Sequence, residues 1–162
     1  MDAAFPVLVS ALSLAAGYGL VAIGISLTWS SLGMLNLAHG ITFGIAGYGA
    51  WWVGTELSAN PLVVGVAGMA TGAVVGLGGA AVAFLPLKRQ RNFPERSLTI
   101  TLALNLVGAQ LLLKVFGPQA KNIPDIFTFD PVNLGGQVIL PDRAGTIVTA
   151  SVVLLSTMFW FR

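Results

Sequence analysis

From Ala3 to Thr55 the chain carries no formal charge. As one helix that run would be about 80 Å long, against a hydrocarbon core of about 30 Å, so it must fold back at least once. Apolar runs separated by polar breaks predict five membrane-spanning helices, at about residues 5–29, 33–54, 61–87, 97–116 and 144–161. The first break falls near Trp29-Ser30-Ser31. The expected fold class is an all-α, polytopic membrane bundle forming a single transmembrane domain over residues 1–162. Residues 117–143 are the one stretch with non-helical character. There Pro124, Pro131, Gly135-Gly136 and Pro141 punctuate two short β-like pieces, 126–129 and 137–140. These read either as a small hairpin or cap over one face of the bundle, or as an irregular connection.

Composition strengthens the membrane reading. Of the 162 residues, 56% are hydrophobic and only 9% are charged, with a mean hydropathy of +0.86. Soluble domains carry roughly 25% charged residues, and so few charges could not cover a water-facing surface. A lipid-facing exterior needs no such cover. The formal net charge is only +2, which gives no nucleic-acid footprint, since that requires clustered cations on an exposed face. With no cysteine, disulfides, zinc–thiolate sites and thiol catalysis are excluded. Met1-Asp2-Ala3-Ala4 offers no basic side chain and the apolar run is too long for a signal peptide, so the first helix is expected to stay in the mature protein.

Charge sets the expected orientation. The loop Lys88-Arg89-Gln90-Arg91-Asn92-Phe93-Pro94-Glu95-Arg96 holds four cations against one carboxylate. By the positive-inside rule it is cytoplasmic. Counting back through three spans places the N-terminus outside, and residues 117–143 then face outward too. Trp29, Trp51, Trp52 and Trp160 fall at the ends of expected spans, as an interfacial aromatic belt requires. Lys114 lies near the outer end of the fourth span, where its stem can snorkel.

Small residues predict how the helices pack. Gly68, Gly72, Gly76 and Ala80 recur every four positions, and Gly40 and Gly44 repeat the spacing. Such stripes let helix backbones approach closely where lipid offers little drive for association. The stripe serves either tight packing within one subunit or a dimer or sliding surface.

Three polar constellations remain. In Gly33-Met34-Leu35-Asn36-Leu37-Ala38-His39-Gly40, Asn36 and His39 are three apart and would share a face if helical. In the fourth span stand Thr99, Thr101, Asn105 and Gln110, with Thr101 and Asn105 at i,i+4. Either set lines a translocation path or ties helices together by hydrogen bonds. The third is the basic loop, with Lys88, Arg89, Arg91 and Arg96, whose charge needs no role beyond topology. His39 is the one histidine and has no companion ligand in its span, so no metal is expected. No nucleophile–base pair, paired carboxylates, HExxH or nucleotide-binding Gly-rich Lys loop occurs, which speaks against an enzyme and against any cofactor. No carboxylate lies inside a span, so a proton-driven pump is disfavoured.

The stretch Gly19-Leu20-Val21-Ala22-Ile23-Gly24-Ile25-Ser26-Leu27-Thr28, then Leu32-Gly33-Met34-Leu35-Asn36-Leu37-Ala38-His39-Gly40 and Gly47-Tyr48, resembles the inner-membrane permeases of bacterial branched-chain amino-acid ABC importers. The related urea and short-chain amide permeases share the pattern. Asn36-Leu37-Ala38-His39-Gly40 is more similar to the first of the two permeases of such systems. Pro94-Glu95-Arg96-Ser97-Leu98, and Gly135-Gly136 followed by Leu140-Pro141, extend the resemblance over nearly the whole chain. It implies a multi-pass permease in a bacterial inner membrane, working by alternating access. Its implied partners are a second permease, two cytoplasmic ATPase subunits that hydrolyse ATP, and an extracytoplasmic solute-binding protein that chooses the substrate. The sequence departs from the family where Ile41-Thr42 follows the His-Gly pair in place of a frequent acidic residue. No counterpart of the family's cytoplasmic coupling helix precedes Arg162, so the chain is expected to be the N-terminal part of a permease. The rival readings are a scaffold or degenerate half-permease, and a passive channel for a small polar solute.

Overall fold

The computed structural model describes residues 4–123, 132–134 and 137–160. Its framework is five long helices, α1 (Ala4–Leu32), α2 (His39–Glu56), α3 (Pro61–Gly79), α4 (Phe93–Phe116) and α5 (Pro141–Trp160), with a π-helical turn, Ala80–Phe84, ending α3. Four stretches are long and apolar enough to cross a membrane: Val7–Leu32, Pro61–Phe84, Phe93–Phe116 and Pro141–Trp160. The fifth helix, α2, falls outside that group; its sequence is rich in Gly and aromatic residues and is bracketed by His39 and Glu56. The chain is thus a polytopic helical membrane protein. Its contacts fall into two units, Ile25–Pro124 and the pair of ends Met1–Gly24 with Asp125–Arg162.

Helix ends follow local chemistry. Gly33, at φ 63°, stops α1 in the left-handed conformation that glycine adopts without a Cβ penalty. Its N–H closes on Trp29 O at 2.9 Å, so the chain turns after Leu32 and not at Trp29-Ser30-Ser31. Asn60 caps α3, its side chain accepting from Leu62 N, and Pro61 occupies the first turn, where no N–H is needed. The helices α4 and α5 begin at Phe93 and Pro141, a turn before their apolar runs, because a helix continues past the part that needs lipid. Gly117, φ 78°, ends α4.

In the Ile25–Pro124 unit α3 lies along α2, and a Cβ added at Gly68 would sit 3.3 Å from Ala50 Cβ, one at Gly72 3.3 Å from Ala46 Cβ. Those two glycines therefore serve packing within the chain. Gly76 faces open space. Large apolar side chains of α3, including Leu62, Met69, Val74 and Leu77, are exposed, whereas Ser97 (0%) and Thr101 (1%) are the largest fully buried side chains among the described residues. The exposed apolar surface suits lipid, and the polar Ser97 and Thr101 are buried along with apolar residues such as Met34, Val64 and Ala83.

Within the other unit, Arg143 of α5 donates to the Ser10 hydroxyl. The hydroxyls of α5 bond back into its own helix, as in Thr149 to Gly145 O and Ser151 to Ile147 O. That satisfies them without a partner helix. A hairpin pairs β1 (Val132–Leu134) with β2 (Gln137–Ile139), with Asn133 opposite Val138. The second β-like piece, 137–140, corresponds to β2; the first, 126–129, lies outside the described residues.

Candidate functional site

The expectation that Asn36 and His39 share a helical face fails. Residues 33–38 are not helical, because Gly33 ends α1 and the Asn36 side chain folds onto the backbone. Its Oδ1 accepts from Ala38 N at 3.0 Å, and its carbonyl accepts from His39 N at 3.3 Å. That pair of bonds makes a turn from which α2 departs.

This break leaves amide groups without helical partners, and α4 supplies the missing acceptors. Ala38 sits at the cap of α2 and offers no side-chain hydrogen bond. Asn105 Oδ1, 64 residues away in the chain, accepts from Ile41 N at 3.1 Å in its place. One turn along α4, Thr101 Oγ1 accepts from Leu37 N at 3.1 Å. The Thr101 hydroxyl has three carbonyls within reach, Ser97 O at 2.7 Å, Leu98 O at 3.2 Å and Leu35 O at 3.4 Å. It has one proton, and the shortest and best of these is Ser97. Its lone pairs then remain for Leu37. Around the cluster Met34 and Ala38 are buried at 3% and 7% exposure. A Cβ at Gly40 would touch Asn105 Oδ1 at 3.5 Å, and one at Gly108 would collide with the Ile41 side chain.

A cavity of about 50 Å³ lies beside the break, with Asn36, Thr42, Thr101, Gly76 and Ala83 in its wall. Polar atoms and a volume above that of one water suit a small polar guest or water. Of the four path candidates, Asn36 and Thr101 line this cavity. Asn105 and His39 do not; Asn105 holds the start of α2, and His39 opens it half-buried. Gly44 packs on α4, its would-be Cβ 3.5 Å from Leu112. Thr99 and Gln110 are exposed, with Thr99 bonded back to Glu95 O. Lys88, Arg89 and Arg91 are exposed on the connection between the π turn and α4, and Arg96 is exposed at the start of α4.

Sequence reasoning missed three parts of the site. Ser97 is fully buried, its hydroxyl donating to Pro94 O at 2.7 Å and its carbonyl receiving Thr101. The signal was the four-residue spacing Ser97, Thr101, Asn105. Gly49 presses on Thr71 of α3 so closely that a Cβ there would lie 2.8 Å from Thr71 Cβ. At the far end of α2, Tyr48 stacks on Phe116 at 4.2 Å, Trp51 meets Phe116 edge-on at 6.3 Å, and the Lys121 ammonium lies 5.2 Å from the Trp51 ring centre. Pairing of that kind is invisible in spacing alone.

A family model described as the permease component of branched-chain amino acid transport systems matches residues 7–162. No curated protein and no solved structure matches the chain.

Proposed function

The chain belongs to the branched-chain amino acid transport permease family, and on that premise we propose that it forms part of the translocation path of a bacterial ABC importer. The solute in this reading is a branched-chain amino acid or a related small polar molecule such as urea. The observation that carries the proposal beyond family membership is the capped break between α1 and α2. A membrane protein tolerates irregular backbone only where protein or a water-lined space satisfies it. Here Thr101 and Asn105 satisfy it, and a small cavity with Asn36, Thr42 and Thr101 in a mostly apolar wall adjoins it. Asn36 and Thr101 are the path-facing candidates, while Asn105 and His39 set the start of α2.

The energy comes from elsewhere in this reading. ATP is hydrolysed by two cytoplasmic ATPase subunits, a second permease completes the path, and an extracytoplasmic binding protein delivers the solute at a bacterial inner membrane. The test is reconstitution in proteoliposomes with those partners, with and without the C-terminal half of a permease supplied alongside this chain. Uptake that needs both ATP and the binding protein is the expected result. Solute flux through this chain alone, without nucleotide, would overturn the proposal in favour of a passive channel.

A further inference from the structure

Beneath the basic connection an open groove of about 500 Å³ is lined by Pro86, Leu87 and Ile100 together with Gln90, Glu95, Arg96 and Thr99. It sits where two stretches suited to crossing a membrane, Pro61–Phe84 and Phe93–Phe116, come to their ends. That is the depth of lipid headgroups. Phe84 and Phe93 meet edge-on at 5.7 Å across the connection and fix its two ends.

We propose that this groove binds an anionic phospholipid, with the phosphate at Arg96 and the upper acyl chain against Pro86, Leu87 and Ile100. Arg96 already donates to Gln90 Oε1. A guanidinium carries five N–H groups in a planar fork, so that bond leaves donors for two phosphate oxygens. Lys88, Arg89 and Arg91 are exposed on the same short connection, and they add attraction that a zwitterionic headgroup would not feel. The Glu95 carboxylate opposes the anion, but the short connection and the first turn of α4 carry four cations against it. The apolar Pro86 and Ile100 suit an amphiphile over a free phosphate, which would leave them uncovered, while Leu87 is already buried at 4% exposure. The inference is independent of whether the chain transports anything.

The test is native mass spectrometry of the full chain, delipidated and then offered phosphatidylglycerol and phosphatidylcholine in equal amounts. Each cation at a membrane surface contributes roughly fivefold in affinity. Phosphatidylglycerol should therefore be retained at least about fivefold over phosphatidylcholine, and Arg96→Gln should remove about that factor. Lys114→Gln, a control cation elsewhere on α4, should leave the ratio unchanged. Glu95→Gln should raise it, and Ile100→Gln should weaken both lipids alike. Equal retention of the two lipids, an Arg96→Gln loss no greater than that of Lys114→Gln, or displacement of the lipid by inorganic phosphate would overturn the proposal. Should Arg96→Gln fold poorly, a Glu95→Gln variant with no rise in selectivity would overturn it as well.

Discussion

Thr101 combines two jobs that one hydroxyl can do together: it donates to Ser97 O and accepts from Leu37 N. Valine has the same shape and neither function. Thr101→Val leaves the part-buried Leu37 N–H without an acceptor, which costs up to about 1–3 kcal/mol. Thr101→Ser keeps the oxygen and loses one methyl, worth about 0.8 kcal/mol. Thermal unfolding in detergent should rank wild type above the serine variant and the serine variant above the valine one. A valine variant as stable as wild type would show that the bond to Leu37 is not made. Gly49 supports a second comparison. Its would-be Cβ meets Thr71 Cβ at 2.8 Å and Thr71 Cγ2 at 2.9 Å, so Gly49→Ala overpacks the interface by about 1–3 kcal/mol. Thr71→Ala removes the outer atoms but not Cβ. The double variant should recover part, not all, of the loss, and strict additivity of the two single changes would refute a direct contact.

At the scale of elements, hydropathy located four of the helices well and their starts less well. Lipid-facing apolarity marks where a helix meets hydrocarbon, and α4 and α5 each begin earlier, with Glu95 and Asp142 in their first turns. The polar face of α4 was legible because Thr101 and Asn105 obey helical spacing. What they bind was not, since their partners lie 64 residues away. The same spacing argument misled at Asn36 and His39. A helix period assumes a helix, and the left-handed Gly33 together with the Asn36 turn breaks it there. Of the glycine stripe, Gly68 and Gly72 meet a neighbouring helix and Gly76 does not. Which helix the stripe meets depends on Ala46 and Ala50 of α2, two small residues that carry no signal alone. The β2 strand was marked by its flanking Gly135-Gly136 and Pro141, whereas its partner Val132–Leu134 was not singled out in advance.

For the whole molecule, whether α2 crosses the membrane fixes the side on which the N-terminus lies. Its 18 residues span about 27 Å, close to the roughly 30 Å of hydrocarbon. Its modest apolarity has a structural cause: α2 spends Ala46, Gly49 and Ala50 on α3 and Gly40, Ile41 and Gly44 on α4. A helix flanked by protein on two sides needs less apolar surface than one facing lipid all round. Its first turn is capped by Asn105, and its last turns are held by the Tyr48–Phe116–Trp51 stack. Both ends are thus provided for, and a crossing α2 is expected. The sequence has no cysteine, so single cysteines at the exposed positions Ala4, Ala59, Gln90 and Gln119 report accessibility without removing native thiols. With an impermeant maleimide on intact cells, Ala59→Cys and Gln119→Cys should react and Gln90→Cys should stay protected until the membrane is opened. These three follow from α3 and α4 crossing with the basic connection inside. Ala4→Cys decides α2: reaction from outside means that α1 and α2 both cross, giving five spans and an external N-terminus. Protection of Ala4→Cys alongside a reactive Ala59→Cys would mean that α2 enters and leaves on the same side. That outcome would conflict with the contacts of α2, which runs beside α4 from Asn105 to Phe116, and the pairing of these two helices would have to be abandoned.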